Sequence, residues 1–227
     1  MHQLLEKFRL KQGRRTSLFI LFGLTAFAVG LLLYYFSAPE HRKGDLNNLK
    51  HATSLHTSPR IFPNFILTDH RGQEFTNKNL RNSWTFIFFG FTHCQDVCPL
   101  TLSTIDRVIN NLTAQNIITA RAVFISADPK RDTPEQLHKY VQHFNQNMIG
   151  LTGSDEELAK LTQALGVVYT TPADDENEDY LVDHSAHIFL VAPNGNLAAL
   201  FSAPHETQII TDDFNILNAH YTTQQGS

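Results

Sequence analysis

The most constraining feature of the sequence is Ser17–Phe36, a run of twenty residues in which no side chain carries a charge. As a helix rising about 1.5 Å per residue, such a run is about 30 Å long, which matches the hydrocarbon thickness of a bilayer. Tyr34 and Tyr35 stand at its far end, where interfacial aromatic residues are typical. A cleaved signal peptide has a shorter apolar region of about 7–15 residues. The run therefore predicts a retained transmembrane helix at residues 17–36.

Charge on the two sides of this run predicts its orientation. A short tail at residues 1–16 contains five basic residues, namely Lys7, Arg9, Lys11, Arg14 and Arg15. Under the positive-inside rule this tail is cytoplasmic, so the chain beyond the helix lies on the other side of the membrane. A tail of this length is too short for an organellar transit peptide. We therefore expect a single-pass protein of a bacterial inner membrane with its C-terminal domain in the periplasm.

The chain beyond the helix is acidic, which excludes one class of function. Of 18 basic and 22 acidic residues, five and one precede the helix, which leaves 13 against 21 and a net charge of −8. Proteins that bind nucleic acids present a basic face, so no nucleic-acid partner is expected. Residues 37–60 are polar and unpatterned, which is typical of a linker. The globular pattern begins at Ile61, and we expect one domain at residues 61–222.

Apolar patterns in this domain alternate between strands and helices. Strands are expected on both sides of the turn Asp69–Gly72 and at Trp84–Phe91, Arg121–Ser126, Ile149–Leu151, Ala186–Val191 and Leu197–Phe201. Helices are expected after Pro99, after a Thr133 N-cap, from a capping box of Ser154 and Glu157 to Gly166, and over Glu206–His220. This order predicts an α/β fold of the thioredoxin-like sandwich type. It has a central mixed sheet flanked by helices, with an N-terminal hairpin.

The chain has two cysteines, Cys94 and Cys98, where a buried strand leads into a helix. In an oxidising compartment such a pair is disulfide-bonded, metal-bound or redox-active, and a plain structural disulfide stays an alternative. Pro99 at the first helical position would make Cys98 the N-cap, where the helix dipole favours the thiolate. Side chains four residues apart on a helix have Cβ atoms about 5–6 Å apart, which suits two thiolates that share one metal. Two soft thiolates favour Cu(I), and an added imidazole can also hold Cu(II).

A third ligand is expected from a distant loop, and the chain contains 12 histidines. His184 lies just before the strand Ala186–Val191, at an entry expected near the cysteine loop. His93 would point away from Cys94 along an extended backbone. His187 is three residues past His184 and would face the opposite side of the strand. His93 and His187 are therefore the weaker candidates.

Three segments together resemble the Sco/SenC family of copper chaperones. They are FTHCQDVCP at residues 91–99, SADPKRDT at residues 126–133, and YLVDHS at residues 180–185 before a strand that ends in Ala-Pro-Asn-Gly. The likeness covers about residues 61–220, and an N-terminal anchor is also typical of the family. The family's motif often has proline after the first cysteine, where this chain has Gln95.

The resemblance implies a thioredoxin-like fold and a role in maturing the binuclear copper centre of cytochrome c oxidase. It implies copper bound by two cysteines and one histidine, which fall here on Cys94, Cys98 and His184. The implied partners are the copper-bearing subunit of that oxidase, other copper carriers or thiol reductants, and the inner membrane.

Other functions stay open beside this one. A thiol–disulfide oxidoreductase would use Cys94 and Cys98 as a redox pair that keeps the cysteines of a client copper site reduced, without need of His184. Peroxide reduction is disfavoured, because Phe91 stands where peroxidatic sites of this fold have Thr or Ser. Asp128 either tunes the cysteine loop or stabilises a turn. The acidic run at residues 174–179 is either a solvated loop or a guide for a basic partner.

Overall fold

The structure is a computed structural model that describes residues 23–32, 44–55, 64–115, 120–167, 169–170, 183–184 and 186–225. It divides into two units, Met1–Lys43 and Gly44–Ser227. In the first unit, residues 23–32 form a helix (α1) in which every residue is exposed. Within the described residues, no helix has both the length and the apolar character that crossing a membrane requires. The rest of the predicted transmembrane helix at residues 17–36 and the tail at residues 1–16 lie outside the described residues.

The second unit is built from a mixed sheet and helices. Its strands are β1 (Ala52–Ser54), β2 (Ile66–Asp69), β3 (Glu74–Thr76), β4 (Trp84–Gly90), β5 (Ala120–Ser126), β6 (Ile149–Thr152), β7 (Tyr169–Thr170), β8 (Asp183–His184), β9 (Ile188–Val191) and β10 (Leu197–Phe201). Its helices are α2 (Val97–Ala114), α3 (Pro134–Phe144), α4 (Asp155–Leu165) and α5 (Thr207–Gln225). Short 3-10 turns lie at Leu46–Asn48 and Asn77–Leu80.

Eight of these strands form one sheet in the order β1, β10, β9, β4, β5, β6, β2, β3. The three strands β4, β5 and β6 run parallel to one another. The remaining neighbours pair antiparallel, and β2 with β3 forms the predicted hairpin. β4 pairs with β5 along its whole length, from Trp84 opposite Ala120 to Gly90 opposite Ser126. The prediction of a central mixed sheet with a hairpin near its N-terminal end is confirmed.

The continuous apolar character of β4 follows from burial on both faces of the sheet. Phe86 and Phe88 belong to one core cluster, together with residues of α2, α3 and α5. Ile87 and Phe89 belong to a second cluster, together with residues of α4. Alternate side chains of a strand point to opposite faces, so helices cover the sheet on both sides. This arrangement confirms the predicted α/β sandwich.

The ends of α3 and α4 follow the local signals of the sequence with one exception. Thr133 caps α3 by accepting the Gln136 N–H at 3.3 Å, and Ser154 caps α4 by accepting the Glu157 N–H at 3.3 Å. Glu157 does not complete the predicted capping box with Ser154. Its carboxylate instead accepts the Ile66 N–H at 2.9 Å, because α4 packs beside the start of β2. The predicted end of α4 at Gly166 is confirmed. Gly166 is the C-cap of the helix, and its φ of 68° is a left-handed conformation that glycine adopts without strain.

Part of the segment predicted as a linker belongs to the fold. The sequence predicts a linker over residues 37–60, whereas residues 44–55 pack into the second unit. In this segment β1 adds an antiparallel strand to the edge of the sheet, with Ala52 opposite Phe201 of β10. The ordered domain therefore begins before Ile61, the residue at which the globular pattern of the sequence starts.

A buried carboxylate holds this N-terminal segment in place. Asp213 of α5 is fully buried and accepts three backbone N–H groups at 2.8, 2.8 and 2.7 Å, those of Lys50, His51 and Ala52. Asp213 lies at least 161 positions further along the chain than the three residues whose N–H groups it accepts. A local polarity pattern does not reveal such a contact, which explains why the sequence analysis placed the domain boundary too late.

Candidate metal centre

Cys94 and Cys98 lie together at the start of α2. Cys98 is fully buried in the first turn of the helix, whereas Cys94 is half-buried in the loop that precedes it. The Cys94 N–H donates to the Phe91 carbonyl at 3.2 Å, which closes the loop between β4 and the helix. The Cys94 side chain lies within hydrogen-bonding reach of the Cys98 thiol, and no disulfide joins the two. The structure thus holds a reduced dithiol with one accessible and one buried sulfur.

The helix begins earlier than the sequence predicts, and this changes the chemistry of Cys98. α2 begins at Val97 with Asp96 as its N-cap, so Cys98 is not the N-cap but the second helical residue. The N-cap role expected of Cys98 is therefore wrong, and burial of its side chain works against the expected thiolate. Burial raises the pKa of the Cys98 thiol, and a hydrogen bond with the Phe91 backbone opposes this only in part. Loss of solvation disfavours the thiolate, so Cys98 is a protonated thiol at neutral pH.

Gly90, the last residue of β4, leaves room for the Cys98 sulfur. A Cβ at this position would lie 2.8 Å from Cys98 Sγ and 2.8 Å from Cε2 of Phe124. Any larger residue would displace the sulfur or the ring. Gly90 is not among the site residues expected from the sequence, although a glycine that ends a continuous apolar strand is a known signal of a close approach.

Asp132, rather than Asp128, contacts the cysteine loop. The Asp132 carboxylate is fully buried and accepts hydrogen bonds from the Ser126 hydroxyl at 2.6 Å and the Thr92 hydroxyl at 2.6 Å. It also accepts the Thr92 N–H at 3.1 Å. Burial raises the pKa of the Asp132 carboxyl, and these hydrogen bonds partly offset that effect. Asp128 pairs with Arg131 and donates its N–H to Ser126 Oγ, which favours the turn-stabilising interpretation of Asp128.

The candidate histidines take different positions. His93 is exposed, and its Nδ1 lies 3.2 Å from the Thr92 hydroxyl and 3.9 Å from Asp132 Oδ1. Nδ1 of His187 is buried and finds no hydrogen-bond partner among the described residues. His184 belongs to β8, where its backbone pairs with Tyr169 of β7. The side chain of His184 and the acidic run at residues 174–179 lie outside the described part of the structure, so their roles stay predictions.

Two sulfurs are the metal donors that the described residues bring together. Across the described ranges, no cluster of three or more His, Cys, Asp or Glu side chains is close enough to hold a metal ion. Two adjacent thiols suit a soft metal, and a third ligand would have to come from a side chain beyond this set.

Comparison with known proteins assigns the family. The family model described as SCO1/SenC matches residues 53–217. The chain belongs to the SCO1/SenC family. The match begins at β1 and ends in α5, so it covers the sheet, the cysteine loop and the helices on both faces.

Relatives of this SCO1/SenC chain include a plant protein and a bacterial protein. It is 36% identical over 201 residues to the mitochondrial Protein SCO1 homolog 1 of Arabidopsis thaliana. The matched region covers 86% of this chain and 58% of that protein. It is 41% identical over 145 residues to a putative copper-binding protein of Stutzerimonas stutzeri. The matched region covers 64% of this chain and 71% of that protein. The chain therefore spans less than two thirds of the Arabidopsis relative.

A solved structure has the same fold as this SCO1/SenC protein. The crystal structure of Arabidopsis thaliana ScoI with copper bound matches with a TM-score of 0.65 and 38% sequence identity. The match covers 69% of this chain and 97% of that one. The thioredoxin-like α/β fold predicted from the sequence is therefore confirmed.

Tyr140 is a further residue of the SCO1/SenC site region that the sequence analysis missed. Its ring packs 5.4 Å from that of Phe124, the residue that borders the Cys98 sulfur at Gly90. Its hydroxyl is buried and finds no hydrogen-bond partner among the described residues. Burial raises the pKa of the Tyr140 hydroxyl, and the nearby Cys98 and Cys94 thiols add to the effect. No local pattern in α3 distinguishes this tyrosine from an ordinary core residue.

Proposed function

We propose that this chain is a copper chaperone that binds copper through Cys94, Cys98 and His184. It delivers the copper to the binuclear copper centre of cytochrome c oxidase during assembly. The observation that carries the proposal is the pair of adjacent reduced thiols at the start of α2 in a chain of the SCO1/SenC family. Two soft sulfur ligands select Cu(I). A bacterial relative is named a putative copper-binding protein, and the Arabidopsis structure was solved with copper bound.

Topology supports the choice of His184 as the third ligand. β9 runs antiparallel to β4, with Ile188 opposite Phe88. The chain that enters β9 therefore comes from the same end of the sheet at which β4 ends and the cysteine loop begins. His184 lies four residues before Ile188, and an imidazole from this entry would complete a site of two sulfurs and one nitrogen. Such a donor set also holds Cu(II).

Copper titration of the reduced full-length chain in detergent tests the proposal. X-ray absorption should count two sulfur ligands and at least one imidazole. The His184→Ala variant should lose at least about tenfold in copper affinity, because a direct ligand is removed. His187→Ala is the matched control, since it removes another histidine from the same entry, and it should keep the affinity of the parent chain. Full affinity in His184→Ala would remove that residue from the site.

A thiol–disulfide oxidoreductase is the second candidate function, and one observation favours it. Cys94 is half-buried and Cys98 fully buried, the asymmetry expected of a pair in which one thiol attacks a client disulfide and the other resolves it. In that role the chain would keep the cysteines of a client copper site reduced, with other copper carriers or thiol reductants as partners. Reduction of a model disulfide by the His184→Ala variant separates the two functions. Full reductase activity with lost copper binding would show that redox chemistry does not need the histidine.

We also propose that residues 17–36 anchor the protein in a bacterial inner membrane, with the copper-binding domain in the periplasm. The uncharged run, the basic tail before it and the fully exposed apolar helix at residues 23–32 support this. A C-terminal fusion to alkaline phosphatase, which is active only after export, should be active in the full-length chain. The same fusion without residues 1–36 should be inactive. An active truncated fusion would contradict the proposed anchor.

A further inference from the structure

A buried hydrogen-bond network joins the ends of β4 and β5 beside the cysteine loop. Asp132 accepts the Thr92 hydroxyl at 2.6 Å and the Thr92 N–H at 3.1 Å. Oδ2 of Asp132, the oxygen that accepts the Thr92 N–H, also accepts the Ser126 hydroxyl at 2.6 Å. Ser126 is the last residue of β5 and stands opposite Gly90 in the sheet register. The carboxylate thus ties the segment after one central strand to the segment after its neighbour.

We propose that Asp132 is a positioning residue that sets the location of Cys94 by holding Thr92. Thr92 is two residues before Cys94, and the Cys94 N–H is bound to the Phe91 carbonyl at 3.2 Å, so this turn moves as one piece. Cys98 is fixed independently, because it is fully buried in the first turn of an 18-residue helix. Of the two sulfurs, Cys94 is therefore the one whose position depends on the loop. The contact between Asp132 and Thr92 decides how far that sulfur stands from its partner.

Burial makes this contact stronger than an ordinary loop hydrogen bond. The Asp132 carboxyl group has no exposed surface, and a hydrogen bond in a low-dielectric interior is electrostatically stronger than one in water. Both donor groups of Thr92 converge on Asp132, which restrains the backbone and the side chain together. The same loop must adjust when the sulfurs share a metal or close a disulfide, because a disulfide brings the sulfurs to about 2.05 Å. Through the position of Cys94, the contact between Asp132 and Thr92 therefore controls both metal binding and disulfide formation by the two cysteines.

A merely structural role for Asp132 makes a different prediction. Asp132 also donates its N–H to the Asp128 carbonyl at 3.0 Å, and the Asp128 N–H donates to Ser126 Oγ at 3.0 Å. If these contacts served only to hold the turn between β5 and α3, loss of the network would lower the stability of the whole domain. Cys94 and Cys98 would then become accessible together. A positioning role predicts that Cys94 alone becomes accessible.

Alkylation of the two thiols in the reduced, metal-free, full-length chain separates these alternatives. We expect Thr92→Val, which removes the hydroxyl donor without changing charge or shape, to raise the iodoacetamide labelling rate of Cys94 about tenfold. Cys98 is the internal reference, and its labelling rate should not change. Thr92→Ser keeps the donor and should label at the rate of the parent chain. Asp132→Asn should also raise the Cys94 rate, and combining it with Thr92→Val should add little, since both changes weaken one contact.

Two results would overturn the inference. One is an equal rise in labelling at Cys94 and Cys98 in Thr92→Val, which indicates a general loss of stability. The other is parental labelling of Cys94 in that variant. The inference rests on the proposed function only for its consequence that Cu(I) affinity falls in Thr92→Val and is retained in Thr92→Ser. A parent chain that binds no copper would contradict the proposed function, whereas the labelling test of Asp132 would remain valid because it uses the metal-free chain.

Discussion

Gly90 lies so close to Cys98 that a Cβ on residue 90 would stand 2.8 Å from the buried sulfur. This contact joins the end of the central strand to the first turn of α2. The sheet therefore fixes the Cys98 sulfur directly, without an intervening side chain. Replacing Gly90 tests how far the site depends on this packing.

Gly90→Ala should destabilise the domain by about 1–3 kcal/mol, because the added methyl group overpacks a core without free space. Urea unfolding measures this loss. Copper affinity should also fall, because the methyl group displaces the Cys98 sulfur. Gly150→Ala is the control, since its Cβ would meet Leu137 and Val141 of α3 at 3.1 Å, and no cysteine is among its three nearest atoms. It should lower stability and leave copper affinity unchanged, and parental copper affinity in Gly90→Ala would contradict the assignment.

Copper binding should become stronger as pH rises. Burial raises the pKa of the Cys98 thiol, so this group is protonated at neutral pH and must release its proton to become a ligand. Each proton released makes the apparent Cu(I) affinity rise by about tenfold per pH unit below the thiol pKa. Competition with a Cu(I) chelator whose own protonation is known measures the slope. An affinity that does not change between about pH 6 and pH 8 would show that Cys98 is not a ligand.

Stability should fall when His70 takes up a proton. His70 is 5% exposed, and its Nδ1 accepts the Gly150 N–H at 3.0 Å, which requires an unprotonated nitrogen. Burial, and next the neighbouring Arg71 charge, lower the pKa of His70 from its ordinary value of 6.5. The unfolded chain therefore binds the proton first. The stabilisation is fully present above about pH 6.5 and is lost as pH falls toward the lower folded pKa.

His70→Asn isolates this effect, because an asparagine Oδ1 can accept the same N–H and does not titrate. Urea unfolding at about pH 7.5 and pH 5.5 should show a smaller loss of stability in the variant than in the parent chain. The His138 ring, whose centroid lies 5.2 Å from that of His70, is unchanged in both proteins. Equal losses in the two proteins would assign the acid sensitivity to other groups.

Asp213→Ala should release the N-terminal segment from α5. The change leaves three backbone N–H groups without their carboxylate acceptor, which should cost about 3 kcal/mol or more. Urea unfolding measures the cost, and limited proteolysis should show new cleavage near Lys50. Asp212→Ala is the matched control, because its salt bridge with the Lys50 ammonium at 2.7 Å lies at the surface and is partly solvent-exposed. It should change stability far less, and an equal effect of the two variants would contradict the role of Asp213.

Elements defined by local patterns could be predicted from the sequence. The apolar run that became β4 and the Thr133 cap of α3 each depend on residues near one another in the chain. The cysteine pair was also visible, because both sulfurs come from one loop-to-helix segment. Long-range contacts could not be predicted in this way. The carboxylate of Asp213 and the hydroxyl of Tyr140 reach their neighbours only after the sheet has formed.

The protonation of Cys98 shows a second limit of sequence reasoning. A helix terminus is a local feature, and it correctly suggests stabilisation of a thiolate. Burial of Cys98 depends on Gly90, Phe124 and the rest of the core, and it raises the pKa of the thiol. The predicted start of α2 was also wrong by two residues, because proline is tolerated within the first turn of a helix and Pro99 is the third helical residue.

The unequal depth of the two sulfurs would prescribe an order for the proposed transfer of copper to a recipient. An incoming thiolate would approach from the half-buried Cys94 side, so the bond to Cys94 would be exchanged first. The bond to Cys98, which the helix and the strand end shield, would break last. Copper handed over in this order would stay bound to at least one of the two proteins throughout.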